Sequence, residues 1–240
     1  MPTPPRLDFR RAPVTMIFLA VMIALEIVFN LRPEARNDYY DRWLGIWWPL
    51  WAGELWRPFT SSLMHINLIH LAFNGFWLAV FGPVLEERFG SWRTFGLIVL
   101  LAYVSGLPGY IADGYLGEKP HGSVGFSGVG YGLFGLILSG RRYVPKWWAV
   151  CDQQTVNLFI GWFFFCVFLT LADAMPVDNV AHGAGFVFGV LYGQAIFDRI
   201  HRAQWVSLAT VLTLAVLATM VACPGHVHYE YVRRIGRTFF

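Results

Sequence analysis

Seven apolar segments run through this chain of 240 residues, at approximately 13–31, 60–82, 93–112, 126–140, 155–174, 180–197 and 204–223. A bilayer core of about 30 Å takes roughly 20 apolar residues of helix, and shorter spans are tolerated where small residues let helices pack closely. Lipid offers the backbone no hydrogen-bond partners, so repeated apolar runs of this length imply helices. The composition agrees: 56% of residues are hydrophobic and 14% charged, with a mean hydropathy of +0.49. Numerous Phe, Trp and Tyr residues suit helices that face acyl chains and anchor at headgroup level. The expected class is an all-α polytopic membrane protein. Its first span is expected to be retained, because Arg10 and Arg11 precede a long apolar run that no A-x-A cleavage pattern follows.

Breaks between the segments are expected at Arg32-Pro33, Gly82-Pro83, Asp113-Gly114, Arg141-Arg142, Met175-Pro176, Asp198-Arg199 and Pro224-Gly225. No internal repeat or low-complexity segment interrupts the series. With the N-terminus inside, the inner segments hold ten Lys and Arg and the outer ones eight, three of them in the C-terminal tail. Without the tail the ratio is ten to five, so the basic bias favours this orientation and leaves the side of the tail open. The long first loop carries Trp43, Ile46, Trp47, Trp48, Leu50, Trp51 and Trp56. It reads either as an amphipathic segment lying in the outer leaflet or as an ordinary aromatic belt. Cys151, Cys166 and Cys223 have no CxxC spacing and read as small buried apolar residues, so no disulfide framework or zinc ribbon is implied. Nothing in the charge pattern resembles a nucleic-acid patch.

The residues able to do chemistry fall on three segments. Gly125-Phe126-Ser127-Gly128 puts a hydroxyl between glycines where the fourth span begins, a position open to an N-cap or a nucleophile. His182 lies in the first turn of the sixth span, which runs in the same direction, so Ser127 and His182 share a depth near the outer face. Gly128-xxx-Gly132 and Gly185-xxx-Gly189-xxx-Gly193 are small-residue stripes of the kind that let backbones touch in lipid. At about 100° per residue His182 and Gly189 share a face, so the close-packing side carries the histidine. An imidazole there could take the serine proton as general base. No Asp or Glu within these helices is placed to orient it, and Tyr131, four residues after Ser127, could stack against it.

On the second span His70 and Asn74 stand at i and i+4, about 40° apart, and project together. Read on the same helix, His65 lies about 140° from His70, which disfavours a shared metal. There is no HExxH and no completing carboxylate. His70 and Asn74 suit either interhelical hydrogen bonding or donation to a developing oxyanion. Glu86, near the inner boundary, is expected to be a structural hydrogen-bond acceptor, and Glu26 in the first span to meet a neighbouring helix or a water-filled cavity.

Together, Trp56-Arg57, His65-x4-His70-x3-Asn74, Glu86, Gly125-x-Ser127-Gly128 with Tyr131, and Ala181-His182-x2-Gly185-x3-Gly189 resemble the rhomboid family of intramembrane serine proteases, over roughly residues 56–193. The resemblance implies a rhomboid-like six-helix core over residues 13–197; the apolar run that follows adds a seventh transmembrane helix within 198–225, a departure found in only some members of the family, with a cytoplasmic tail expected over 1–12 and a C-terminal tail over 226–240. It implies Ser127 as nucleophile, His182 as general base and Tyr131 as the ring supporting it. His70, Asn74 and the Ser127 backbone N–H would form the oxyanion hole. Gly128, His65, Trp56, Arg57 and Glu86 would have supporting roles, with Trp56 and Arg57 bracing the first loop at the lipid surface. Phe163, Phe164 and Phe165 resemble the lining of a lateral opening. The expected activity is hydrolysis of peptide bonds in or near transmembrane segments of other membrane proteins, with no metal and no cofactor. The site would face the outer side of a bacterial inner membrane. The alternatives are a non-catalytic relative that binds transmembrane segments and a small transporter.

Overall fold

The computed structural model describes residues 9–39, 42, 44–46, 50, 53–116 and 124–222, and these contain helices and turns with no strand. Trp43, Trp47, Trp48, Trp51, Lys119, Cys223 and the C-terminal tail lie outside the described residues. In chain order the α-helices are α1 (Pro13–Leu31), α2 (Pro33–Tyr39), α3 (Arg57–Ser61), α4 (Leu68–Phe89), α5 (Ser91–Leu116), α6 (Ser127–Gly140), α7 (Gln153–Leu171), α8 (Asn179–Phe197) and α9 (Arg202–Ala218). Within α1, α4, α5, α7 and α8 there are stretches long and apolar enough to cross a membrane, and α6 and α9 are shorter apolar helices. The chain is an integral, multi-pass, all-α membrane protein.

Several helix starts follow local capping rules. The side chains of Asn67, Asp152 and Asp178 accept hydrogen bonds from the backbone N–H groups of His70 (2.9 Å), Thr155 (2.8 Å) and Ala181 (2.7 Å), opening α4, α7 and α8. The Thr155 bond holds the Asp152 carboxyl below its usual range. Helix α1 has Pro13 in its first turn and no cap of its own. Glu86 supplies one from α4, accepting from the N–H groups of Val14 (3.1 Å) and Thr15 (2.7 Å) and from the Thr15 hydroxyl (2.7 Å). The expected acceptor role of Glu86 is thus realised as a long-range helix cap.

Three sequence expectations are corrected. The second span begins at Leu68 rather than 60, because residues 62–66 are not helical and Asn67 caps the helix that follows. Gly82-Pro83 does not break it: α4 continues to Phe89, with Gly82 pressed so close to Thr15 that a Cβ would overlap the Thr15 side chain. A proline inside a membrane helix is tolerated where neighbouring groups compensate the lost backbone bond. Asp113-Gly114 likewise lies inside α5, which runs on to Leu116. The α4–α5 break falls instead at Gly90, whose φ of 81° favours glycine.

The short helix α6 is the centre of the bundle, surrounded by α4, α5 and α8 and buried along most of its length. Its closest partner is α8. A Cβ on Gly185 would lie 2.0 Å from the Gly128 carbonyl oxygen, one on Gly189 2.0 Å from the Gly132 carbonyl oxygen, and one on Gly135 2.5 Å from the Phe186 carbonyl oxygen. The small-residue stripes expected to bring these helices together do so, and backbone-to-backbone packing is the reason. The first loop also packs inward: Ile46 and Leu50 are fully buried against Leu107 and Tyr110 of α5 and against Met220. Cys151 and Cys166 are buried free thiols, as expected.

Candidate active site

The turn that delivers Ser127 is held from two sides. The Gly125 N–H donates to the Ser61 carbonyl at the end of α3, 3.1 Å away. Gly125 has a φ of 117°, and a Cβ there would stand 2.5 Å from Cε1 and 2.8 Å from Nε2 of His70. Only glycine satisfies both the dihedral and the space. Phe126 follows as the buried N-cap residue, its ring 6.0 Å from that of Phe18. Ser127 is therefore the first residue of α6 rather than its cap, and its hydroxyl is available for another partner.

That partner is on α8. His182 Nε2 lies 2.8 Å from Ser127 Oγ, across the seam where Gly185 meets Gly128. The Tyr131 ring stacks on the imidazole with centroids 4.8 Å apart and planes at 26°. Tyr131 is itself anchored, donating its hydroxyl proton to the Phe159 carbonyl at 3.1 Å and packing edge-on to the Phe159 ring. His182 Nδ1 is buried with no hydrogen-bond partner, so among the described residues no carboxylate orients the ring. The stack and the helix register do so instead. A hydroxyl bonded to a neutral imidazole in such a buried setting can pass its proton to nitrogen as it attacks an electrophile.

His70 and Asn74 of α4 face the same turn. Asn74 Nδ2 lies 3.7 Å from the position of a Gly125 Cβ, and both Asn74 Nδ2 and His70 Nδ1 are buried without partners. Buried polar groups without a protein partner are uncommon in native folds. His65 is not on the helix. It lies in the turn before α4, and its ring meets that of His70 edge-on at 5.0 Å, which overturns the helical angle assigned to the pair. Among the described residues, no third metal-ligand side chain joins them.

Arg57, one of the residues expected to support the site, belongs to a connected hydrogen-bond network. Buried Arg57 donates to the carbonyls of Gly45 (2.7 Å) and Arg42 (2.9 Å) and, through Nε, to Glu54 (2.7 Å). This ties the first loop to α3, whose Ser61 carbonyl holds Gly125. Trp56 occupies the N-cap position of α3 and is 43% exposed. Glu26 has partners that sequence did not reveal: Asn30 one turn later (2.9 Å) and Arg36 of α2 (3.0 Å). Arg36 also donates to the carbonyls of His65 (3.0 Å) and Ile66, linking the first span to the turn that carries His65.

Two further features were missed in the sequence. Asp178, four residues before His182, caps α8 from a notch where a Cβ on Gly109 would overlap its carboxylate. An acidic residue just before an apolar helical run is the signal that could have found it. The second is the meeting of α7 with α4. Trp162 stacks on Phe73 at 4.8 Å, and Phe159 packs on Trp77 at 4.7 Å, while most of α7 faces outward. Phe164 and Phe165 point away from the bundle, and only Phe163 turns toward Tyr131, with ring centroids 6.1 Å apart.

Residues 52–199 match the family model for the rhomboid domain. The chain is 33% identical over 190 residues to the rhomboid protease GlpG of Serratia proteamaculans (strain 568), an alignment covering 78% of this chain and 64% of that protein's length. This chain thus spans somewhat under two thirds of its relative. Because the matched region carries the Ser127 turn, the His182 helix and the α4 polar pair, and takes in more than half of the sequence, the chain belongs to the rhomboid family.

Proposed function

We propose that this protein is an intramembrane serine endopeptidase that cuts other membrane proteins in or near their transmembrane segments. The observation that carries this reading is the 2.8 Å contact between His182 Nε2 and Ser127 Oγ inside a membrane-embedded bundle. In the proposed reaction His182 Nε2 accepts the Ser127 proton while Oγ bonds to the scissile carbonyl carbon. The carbonyl oxygen becomes an oxyanion, met by donors from His70, Asn74 and the Ser127 backbone N–H. Collapse breaks the C–N bond as His182 returns the proton to the leaving amine, leaving an acyl ester on Ser127. His182 then deprotonates a water that attacks the ester, and the serine is restored with release of the second product.

Helix length supports an outward-opening site. At 14 residues α6 extends about 21 Å, roughly 9 Å short of the bilayer core. With its Gly140 end at the inner boundary, Ser127 would lie below the outer surface, reachable by water from that side. A transmembrane substrate would approach sideways past α7, whose contact with α4 rests on aromatic rings such as the Trp162–Phe73 stack. We place the protein in a bacterial inner membrane on the same reading.

Labelling with a serine-reactive fluorophosphonate tests the proposal. Wild type should label, Ser127→Ala should not, and His182→Ala should lose cleavage of a reporter transmembrane substrate while remaining folded. Full turnover by His182→Ala would sink the dyad. A folded wild type that neither labels nor cleaves would favour a non-catalytic binder of transmembrane segments.

A further inference from the structure

The proposed reaction makes no use of Glu26, a carboxylate buried to 2% exposure inside the first membrane span. Its Oε1 accepts from the Asn30 amide at 2.9 Å and from Arg36 Nη2 at 3.0 Å, while Oε2 is buried with no hydrogen-bond partner among the described residues. Such a pair is a poor stabiliser, because removing two charges from water often costs more than their attraction returns, and apolar residues of similar volume commonly do as well or better. What the pair supplies is geometry. The Arg36 guanidinium lies over the Phe29 ring, 5.4 Å from its centroid. From there Nη2 holds Glu26, and Nη1 donates to the carbonyls of His65 (3.0 Å) and Ile66. Asn67 comes next in the chain and caps α4 by accepting from the His70 N–H at 2.9 Å. A continuous set of polar contacts thus runs from α1 through α2 to the turn that bears His70. The His70 ring has few contacts of its own to fix it: Nδ1 has no partner, and Nε2 stands 2.8 Å from the place a Gly125 Cβ would take. Its position is inherited from the backbone that carries it.

We propose that Glu26 and Arg36 are positioning residues for His70: the pair pins the turn at residues 65–66, sets the first turn of α4 and so aims the imidazole at the oxyanion. This role rests on the protease reading and on His70 as an oxyanion donor. Both residues act through His70 rather than on the substrate.

The test follows reporter cleavage, thermal unfolding and the imidazole NMR signals of His70 in the full chain in mild detergent. Glu26→Leu combined with Arg36→Leu should melt near wild type, since an apolar pair avoids burying charge. Its kcat should nevertheless fall about ten-fold with KM little changed, and the His70 signals should shift. In a His70→Ala background the same pair of substitutions should change kcat by less than about two-fold, because the residue it positions is gone. Arg36→Lys serves if the leucine pair does not fold: a single ammonium can hold Glu26 or the turn but lacks the planar fork that holds both, so the same loss of kcat is expected. Full kcat in the folded leucine pair or in Arg36→Lys would overturn the proposal. So would an undiminished ten-fold loss in the His70→Ala background, or His70 signals that do not move. A folded wild type that cleaves nothing would overturn the protease reading instead, and the His70 signals would still decide whether the pair positions that ring.

Discussion

Gly185 of α8 lies so close to Gly128 of α6 that a Cβ on the first would stand only 2.0 Å from the carbonyl oxygen of the second. This contact sits one residue from Ser127 and three from His182, so it sets the separation of the two helices where hydroxyl and imidazole meet. Neither helix can move apart without stretching the 2.8 Å Ser127–His182 contact.

Gly185→Ala should therefore lower stability by about 1–3 kcal/mol, the usual cost of overpacking, and slow fluorophosphonate labelling in whatever fraction remains folded. Gly183→Ala is the control, since a Cβ there meets nothing within 4 Å. Thermal unfolding of the two variants side by side checks this. Equal loss in both would remove the helix seam as the explanation.

Asn74 is buried, and its Nδ2 has no partner. If that amide serves a transition-state oxyanion, Asn74→Ala should lower kcat by about 10²-fold. Removing an unsatisfied buried donor should leave the melting temperature unchanged or raise it. A variant that loses stability in proportion to activity would instead mark Asn74 as a structural residue.

Asp178→Ala removes the cap of the helix turn that carries His182. A lost N-cap costs about 1 kcal/mol. Because His182 has no carboxylate to orient it, kcat should fall with KM little changed. Asp178→Asn, which keeps an acceptor oxygen, should restore most of the rate. Reporter-cleavage kinetics for the two variants decide whether capping or mere side-chain bulk matters.

The Asp152 cap of α7 should respond to pH. Its folded pKa is depressed by the Thr155 N–H, so its contribution is present above the ordinary carboxylate value of about 3.9 and is lost as pH falls through the lower folded value. Hydrogen-exchange protection at the start of α7 should drop across that acid range in wild type. In Asp152→Asn it should not change with pH.

Much of the architecture was legible because its signals are local. Apolar runs located the helices, and the spacing of Gly128, Gly132, Gly185 and Gly189 identified the faces that α6 and α8 turn to each other. The polar residues at one depth, Ser127 and His182, followed from helix direction. The punctuation rules failed at Pro83, where packing between membrane helices keeps α4 going, and at Asp113-Gly114, which lies inside α5.

What only the tertiary structure decided was which distant groups became neighbours. Glu86 caps a helix 71 residues earlier, Arg36 joins Glu26 to the His65 turn, and Asp178 fits the notch at Gly109. Each pair joins residues of different elements, so no helical periodicity links them. Hydrophobicity and helical pitch act over a few residues and are written in the sequence. The hydrogen bonds that lock the helices together depend on distances that exist only once the bundle has assembled.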